Sequence, residues 1–220
     1  MNLELKKRIL TSLCLFSLLI LMFKYTYILI ISLIIIAVII WIEFYSLNSK
    51  IFLKKSLKNV IIKFLLKTIS LIYIAALVFL IIMINTKNPE LKIIIVYSVL
   101  ISIMSDIGGL IVGKTFKGKK LTKISPKKTI SGSIGSFFFS LCLIPFFLKY
   151  FPSHNLLSLC VFTLLISMTS QIGDLFISFI KRKAKVKDTS DLLPGHGGFL
   201  DRLDGIILAI PFGFLVFNYL

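Results

Sequence analysis

Counted from Asp174, Ser178, Lys181 and Arg182 follow at steps of four, seven and eight residues, which sets an acid, a hydroxyl and two cations on one helix face. A short connection then carries Lys187, Asp188 and the run Pro194-Gly195-His196-Gly197-Gly198, before Asp201, Arg202 and Asp204 open another apolar segment. Asp201 and Asp204 are three residues apart, so a helix turns both to the same side. A helix dipole favours carboxylates near its N-terminus, which accounts for the acids without a ligand. It does not account for the glycines, which let backbone N–H groups come close to an anion. Hard oxygen ligands, several cations and a Gly-rich turn describe a Mg²⁺ and phosphate site rather than a zinc site. Mg²⁺ takes one or two carboxylates and completes its shell with water and phosphate oxygens; Asp174 and Asp201 are the expected pair.

A second basic stretch has seven lysines between Lys114 and Lys128 and contains Ser125-Pro126-Lys127-Lys128-Thr129, followed by Gly132 and Gly135. Lys127 and Lys128 stand near the start of a helix, a good position for holding phosphates. The two glycines fit close helix packing and ligand approach equally well. His196, alone in a glycine-rich turn, serves either a phosphate or the turn itself. Residues 108 to 115 match the pattern GxxxxGK[ST], but they end an apolar helix with no strand before them, so a phosphate-binding loop of the soluble α/β type is not expected.

The elements that must position these residues are apolar helices. Hydrophobic residues make up 57% of the 220 positions, and mean hydropathy is +0.99. A water-soluble fold is excluded on that composition. The formal charge of +17 would suggest nucleic acid in a soluble protein, but here the cations sit in short loops between long apolar runs, so no nucleic acid is expected. Cys14, Cys142 and Cys160 lie within apolar segments and have no metal-ligand or disulfide spacing.

A bilayer core needs roughly 20 apolar residues per helix, and about seven such segments can be drawn, near residues 9–23, 26–45, 64–84, 92–112, 130–149, 155–180 and 205–220. The expected fold class is therefore all-α, a polytopic membrane helical bundle. Lysine and arginine test the segmentation. One side collects Lys6, Lys7 and Arg8, then 50–67, 114–128, and Lys181 to Lys187 with Arg202; the other has Lys24, Lys87 and Lys149, with Lys92 near a helix end. Positive charge marks the cytoplasm, which puts the N-terminus inside and the C-terminus outside. Lys54, Lys55, Lys58 and Lys63 among apolar residues predict an amphipathic segment over 50–67. No soluble domain, linker or repeat is visible. Residues 1–220 read as one membrane-embedded domain, with N-terminal spans over 1–90 and a catalytic part over 91–220 carrying cytoplasmic loops 113–129 and 181–204.

Of nine acids, Glu43, Asp106 and Asp174 lie within apolar helices, where an ionised carboxylate is costly and function is the default expectation. Glu43 is balanced between that reading and a helix-end carboxylate reaching water or a lysine. Asp106 and Asp174 end apolar runs just before basic loops.

The stretch from Ser178 to Asp204 resembles the signature of the phosphatidate cytidylyltransferase (CDP-diacylglycerol synthase) family at Ser178, Lys181, Arg182, Lys187, Asp188, Ser190, Leu193, Pro194, His196, Gly197, Gly198, Asp201, Arg202 and Asp204. The likeness extends to Ser125-Pro126-Lys127-Lys128-Thr129, Asp106 with Gly113-Lys114, Gly173-Asp174 and Glu43-Phe44, and so covers most of the chain. Two departures are Ser131 and Ile177, where family members often carry glutamates.

The resemblance implies an enzyme that transfers a cytidylyl group from CTP to phosphatidate, giving CDP-diacylglycerol and pyrophosphate. It implies Asp174 and Asp201 on Mg²⁺, with a second cation left open, and Lys127, Lys128, Lys181, Arg182 and Arg202 on phosphates. The Gly197 and Gly198 amides would meet the nucleotide, Asp188 and Asp204 would act behind the ligands or on the ribose, and Ser125, Ser178, Lys187 and His196 would complete the substrate site. The expected partners are CTP, phosphatidate and the lipid bilayer, with a homodimer left open. The expected location is the cell (inner) membrane, multi-pass, with the active site facing the cytoplasm. Two alternatives stand beside this reading: a related CTP-dependent transferase or kinase acting on another lipid, and an inactive membrane homologue or transporter.

Overall fold

The computed structural model describes residues 3–53, 56–87, 91–122, 124–126, 128–152, 155–195 and 197–217, with side chains for all of these except 3–9 and 23. Among the described residues the chain is helical and has no strand, as the hydropathy pattern requires. Five helical stretches are long and apolar enough to cross a membrane: Thr26–Ile51, Leu57–Lys87, Lys92–Phe116, Ile130–Tyr150 and Leu156–Lys183. The first and last expected spans are shorter as described, with an apolar run at Leu10–Met22 and a helix at Ile206–Phe217. The chain folds as two compact units, one of residues 1–86 with 180–203, the other of 87–179 with 204–220.

In the first unit α1 (Leu3–Lys24) packs on α2 (Thr26–Ile51), and α3 (Leu57–Lys87) runs antiparallel to α2. Trp41 Nε1 donates to the Lys67 carbonyl at 3.2 Å, while at the other end of the pair Asn85 Nδ2 donates to Thr26 Oγ1 at 3.4 Å. Lys67 Nζ lies 5.3 Å from the Trp41 ring centre and 5.0 Å from that of Tyr45, which keeps a cation beside an apolar helix pair. The amphipathic segment expected over 50–67 is not a separate element. α2 ends at Ile51, and Lys58, Lys63 and Lys67 form the first turns of the 31-residue α3. No glycine or proline interrupts the apolar run that follows, so the helix propagates, and long lysine stems can carry their charges along its surface. Lys54 and Lys55 lie outside the described residues.

The second unit holds α4 (Lys92–Phe116), α5 (Ile130–Leu141), α6 (Ile144–Phe147) with a 3-10 turn at Leu148–Tyr150, α7 (Leu156–Lys183) up to Phe179, and α9 (Ile206–Phe217); α8 (Leu200–Leu203) belongs to the first unit. Pro145 lacks an N–H and crowds the carbonyl four residues back, at Leu141, which is where α5 stops. Tyr97, Phe147, Phe151 and Phe162 pack with Ile94, Ile101 and Ile166 as the apolar core. Below them, buried hydroxyls join helices: Ser136 Oγ donates to the Ser105 carbonyl at 2.6 Å, and Ser167 Oγ to Ser105 Oγ at 3.2 Å.

α4 and α5 meet on glycine. A Cβ at Gly108 would sit 2.5 Å from the Gly135 carbonyl oxygen, and one at Gly132 would sit 2.8 Å from the Gly109 carbonyl oxygen. Gly132 and Gly135 thus serve close packing, and Gly132 also lines a cavity, which leaves ligand approach open beside it. The GxxxxGK[ST] match lies inside α4, away from any strand, in line with the expectation that it is no phosphate loop.

Candidate active site

In the second unit a cavity of about 470 Å³ opens where the end of α4, the start of α5 and the middle of α7 converge. α4 contributes Asp106 and, eight residues on along the same face, Lys114. α5 begins at its cap, Thr129, whose Oγ1 accepts the Gly132 N–H at 3.0 Å. That cap fixes the preceding residue, Lys128, whose ammonium forms an ion pair with Asp174 of α7. One turn before Asp174, Gln171 Oε1 accepts from Ser133 Oγ at 2.6 Å, and Gln171 Nε2 has no hydrogen-bond partner among the described residues. One turn after, Ser178 Oγ donates to Asp174 Oδ1 at 3.3 Å.

Asp204 joins this group from the chain entering α9. Gly173 permits the approach, because a Cβ there would stand 2.5 Å from the Asp204 carbonyl oxygen. Burial, together with the negative charges of Asp174 and Asp106, pushes the Asp204 carboxyl up to about 8, and it shares a hydrogen bond with Asp174. Acids crowded in this way, answered by Lys128, form an oxygen-rich and electron-rich donor set, which suits a hard divalent cation. Among the described residues no group of three or more His, Cys, Asp or Glu side chains is arranged to hold a metal ion.

In the first unit the connection from α7 to α8 folds around two carboxylates. Lys181 Nζ donates to Asp201 Oδ1 at 2.7 Å. Asp201 Oδ2 accepts the Thr189 N–H at 2.7 Å, the Thr189 hydroxyl at 2.9 Å and the Gly198 N–H at 3.0 Å. Burial alone would push this carboxyl up, but Lys181 and the two amides outweigh it and hold Asp201 below the usual carboxylate range. The second carboxylate is Glu43 of α2, buried at 4% exposure. It accepts from Ser190 Oγ at 2.5 Å, Phe199 N at 3.2 Å and Leu200 N at 2.8 Å, and its Oε2 lies 3.0 Å from Thr189 Oγ1. Gly195 and Gly197 take φ of 77° and 79°, a region open to glycine, and the turn closes with Leu193 N donating to the Gly197 carbonyl at 2.8 Å.

The expected site residues therefore gather in two groups. Lys128, Asp174, Ser178 and Asp204 meet in the second unit; Lys181, Asp201 and Gly198 meet in the first, with Asp188 packed against Gly197. Asp174 and Asp201 fall in different units. The Gly198 amide expected to meet a nucleotide instead donates to Asp201, and a Cβ on Gly198 would collide with Thr189 Oγ1 and lie 2.6 Å from the Glu43 carboxylate. Ser125 serves its turn, its carbonyl accepting the Lys128 N–H at 3.0 Å. Arg182, Lys187 and Arg202 are exposed, and Lys127 and His196 lie outside the described residues. Of the two departures, Ser131 Oγ donates to the Lys117 carbonyl, and Ile177 is buried.

Sequence reasoning missed Thr189, Ser133 and Gln171, which have no spacing signal, and left the role of Glu43 undecided. A buried acid in an apolar helix was the available signal for Glu43.

A family model described as the cytidylyltransferase family matches residues 2–220. The phosphatidate cytidylyltransferase of Rickettsia typhi is 39% identical over 149 residues, which is 64% of this chain and 65% of that protein. The one from Rickettsia bellii is 43% identical over 119 residues, 50% of this chain and 52% of its own length. The one from Staphylococcus aureus strain COL is 42% identical over 120 residues, 53% of this chain and 46% of its own. The chain thus spans less than two-thirds of the length of each of these relatives.

Proposed function

Because this chain belongs to the cytidylyltransferase family, we propose that it transfers the cytidylyl group of CTP to phosphatidate, giving CDP-diacylglycerol and pyrophosphate. The observation that carries the reading is the Lys128–Asp174 pair facing a cavity of about 470 Å³ also lined by Asp106 and Lys114. Such a cavity offers cations for phosphate oxygens and carboxylates for a counter-cation. The relatives' names supply the substrate pair.

The reaction brings two anions together. A phosphatidate oxygen attacks the α-phosphorus of CTP in line, a new P–O bond forms, and the bond to the β-phosphate breaks to release pyrophosphate. The second pKa of a phosphate monoester is about 6, so the nucleophile is ionised near neutral pH and needs no strong general base. Positioning and charge neutralisation therefore carry the rate. Lys128 and Lys114 would hold phosphate oxygens in the cavity, with Lys127, Lys181, Arg182 and Arg202 as the further cations. In the second unit Asp174, with Asp106 and Asp204 beside it, is a carboxylate proposed for Mg²⁺, and in the first unit Asp201 is another. When bound, Mg²⁺ would supply charge neutralisation and alignment of the triphosphate. The lipid's acyl chains stay in the bilayer while CTP arrives from water, and the lysine distribution favours the cytoplasmic face of the cell membrane.

Pyrophosphate release by purified protein in detergent with Mg²⁺, CTP and phosphatidate tests the proposal. Release that depends on both substrates, with label from α-labelled CTP entering the lipid, is the expected result. Label transferred only from the γ-phosphate would make the protein a kinase, and no transfer at all would sink the reading.

A further inference from the structure

We propose that Glu43 and Thr189 are positioning residues that set the Asp201 carboxylate from the second apolar helix. The inference rests on the function proposed above only for its kinetic arm. A hydroxyl has one hydrogen, and Thr189 Oγ1 stands 3.0 Å from Glu43 Oε2 and 2.9 Å from Asp201 Oδ2. It can donate to only one of them at a time. Glu43 keeps three other donors, namely Ser190 Oγ, Phe199 N and Leu200 N, so the hydrogen is available to Asp201.

The two carboxylates divide the work. Glu43 reaches 147 to 157 residues along the chain to hold both ends of the glycine-rich connection, Ser190, next to Thr189, on one side and Phe199-Leu200 on the other. Thr189 then passes that anchorage to Asp201, through its N–H as well as its hydroxyl. Gly198 is the residue that lets the three groups close, since any side chain there would enter the space between Thr189 and Glu43. With Lys181 fixed on the opposite oxygen, Asp201 has its orientation determined on both sides. A small rotation of a group assigned to cation or phosphate work is costly in rate, because alignment is what such a site contributes.

The test compares wild type, Thr189→Val, Thr189→Ser and Glu43→Gln, each as the full chain in detergent. Thr189→Val keeps shape and removes the hydroxyl. It is expected to lower kcat about tenfold or more with KM for CTP and phosphatidate within about twofold, and Thr189→Ser to recover most of the loss. Independently of any substrate, amide hydrogen exchange at Gly198 should quicken in Thr189→Val, and exchange at Phe199 and Leu200 should quicken about tenfold in Glu43→Gln. A wild type that turns over no CTP removes the proposed function, and the exchange data alone then decide this inference. Should Glu43→Gln not fold, the two Thr189 variants decide. Unchanged Gly198 exchange in Thr189→Val, or a kcat within about twofold of an active wild type, overturns it.

Discussion

Lys181 Nζ and Asp201 Oδ1 stand 2.7 Å apart with side-chain exposures of 13% and 7%, an ion pair well withdrawn from water. Such a pair is worth little against an apolar substitute, but breaking it strands a buried charge at about 3–5 kcal/mol. Because Asp201 titrates below an unfolded aspartate, near 3.9, its ionised form stabilises the fold above that value, and the contribution is lost as pH falls through the lower folded value. Thermal unfolding in detergent between about pH 6 and pH 3 should show a falling Tm for wild type. Asp201→Asn should start lower and fall less; an identical pH slope would mean that the pair carries no such linkage.

Lys128 faces the cavity and holds Asp174 by its ammonium, so its removal takes away a cation proposed for phosphate and leaves an acid unanswered. Lys128→Ala is expected to lower kcat/KM for CTP about a hundredfold, roughly 2.7 kcal/mol of lost transition-state binding. Lys128→Arg should retain part of the activity by keeping the charge. Asp174→Asn should abolish turnover while the protein stays folded. Steady-state pyrophosphate release checks all three, and near-normal Asp174→Asn activity would end the cation assignment for that residue.

Asp204 would couple the proposed cation binding to pH. With its carboxyl pushed up to about 8, it carries a proton under neutral conditions, and that proton must leave if the acids beside it are to gather a divalent ion. Above that value the ionised carboxylate repels Asp174 and Asp106, a cost that a cation relieves. Mg²⁺ should therefore raise the Tm of wild type more at about pH 9 than at about pH 6, with protons released on binding. Asp204→Asn should flatten the difference. A larger Mg²⁺ effect at the lower pH would reverse the sign and refute the coupling.

Much of this was legible in the residues. Long apolar runs gave the helices, and costly intramembrane acids singled out Asp106 and Asp174, because hydrophobic length and charge in hydrocarbon are properties of a linear sequence. Partnerships were not legible. Asp201 was legible as an acid opening an apolar segment, but its protein partners Lys181, Thr189 and Gly198 were not. Glu43 read as evenly balanced because the groups that satisfy it lie far along the chain. The stretch 50–67 read as amphipathic because a window there sees lysines at helical spacing but not that the apolar run continues to the end of α3.

Gly108 tests whether the α4–α5 seam sets the cavity. A Cβ there would meet the Gly135 carbonyl oxygen at 2.5 Å and Phe139 Cβ at 2.7 Å. The first obstacle is backbone and cannot rotate away, so Gly108→Ala must part the two helices, at about 1–3 kcal/mol by analogy with overpacked cores. At Gly113 the nearest obstacle is the Thr129 hydroxyl at 3.0 Å, a side chain that can move, though at the expense of the α5 cap. Gly108→Ala should therefore lower Tm more than Gly113→Ala. Because Lys128, just before α5, and Asp174 of α7 both line the cavity that this seam borders, Gly108→Ala should also weaken CTP binding measured by calorimetry. An unchanged Tm would show that the helices have slack the close glycine contacts deny.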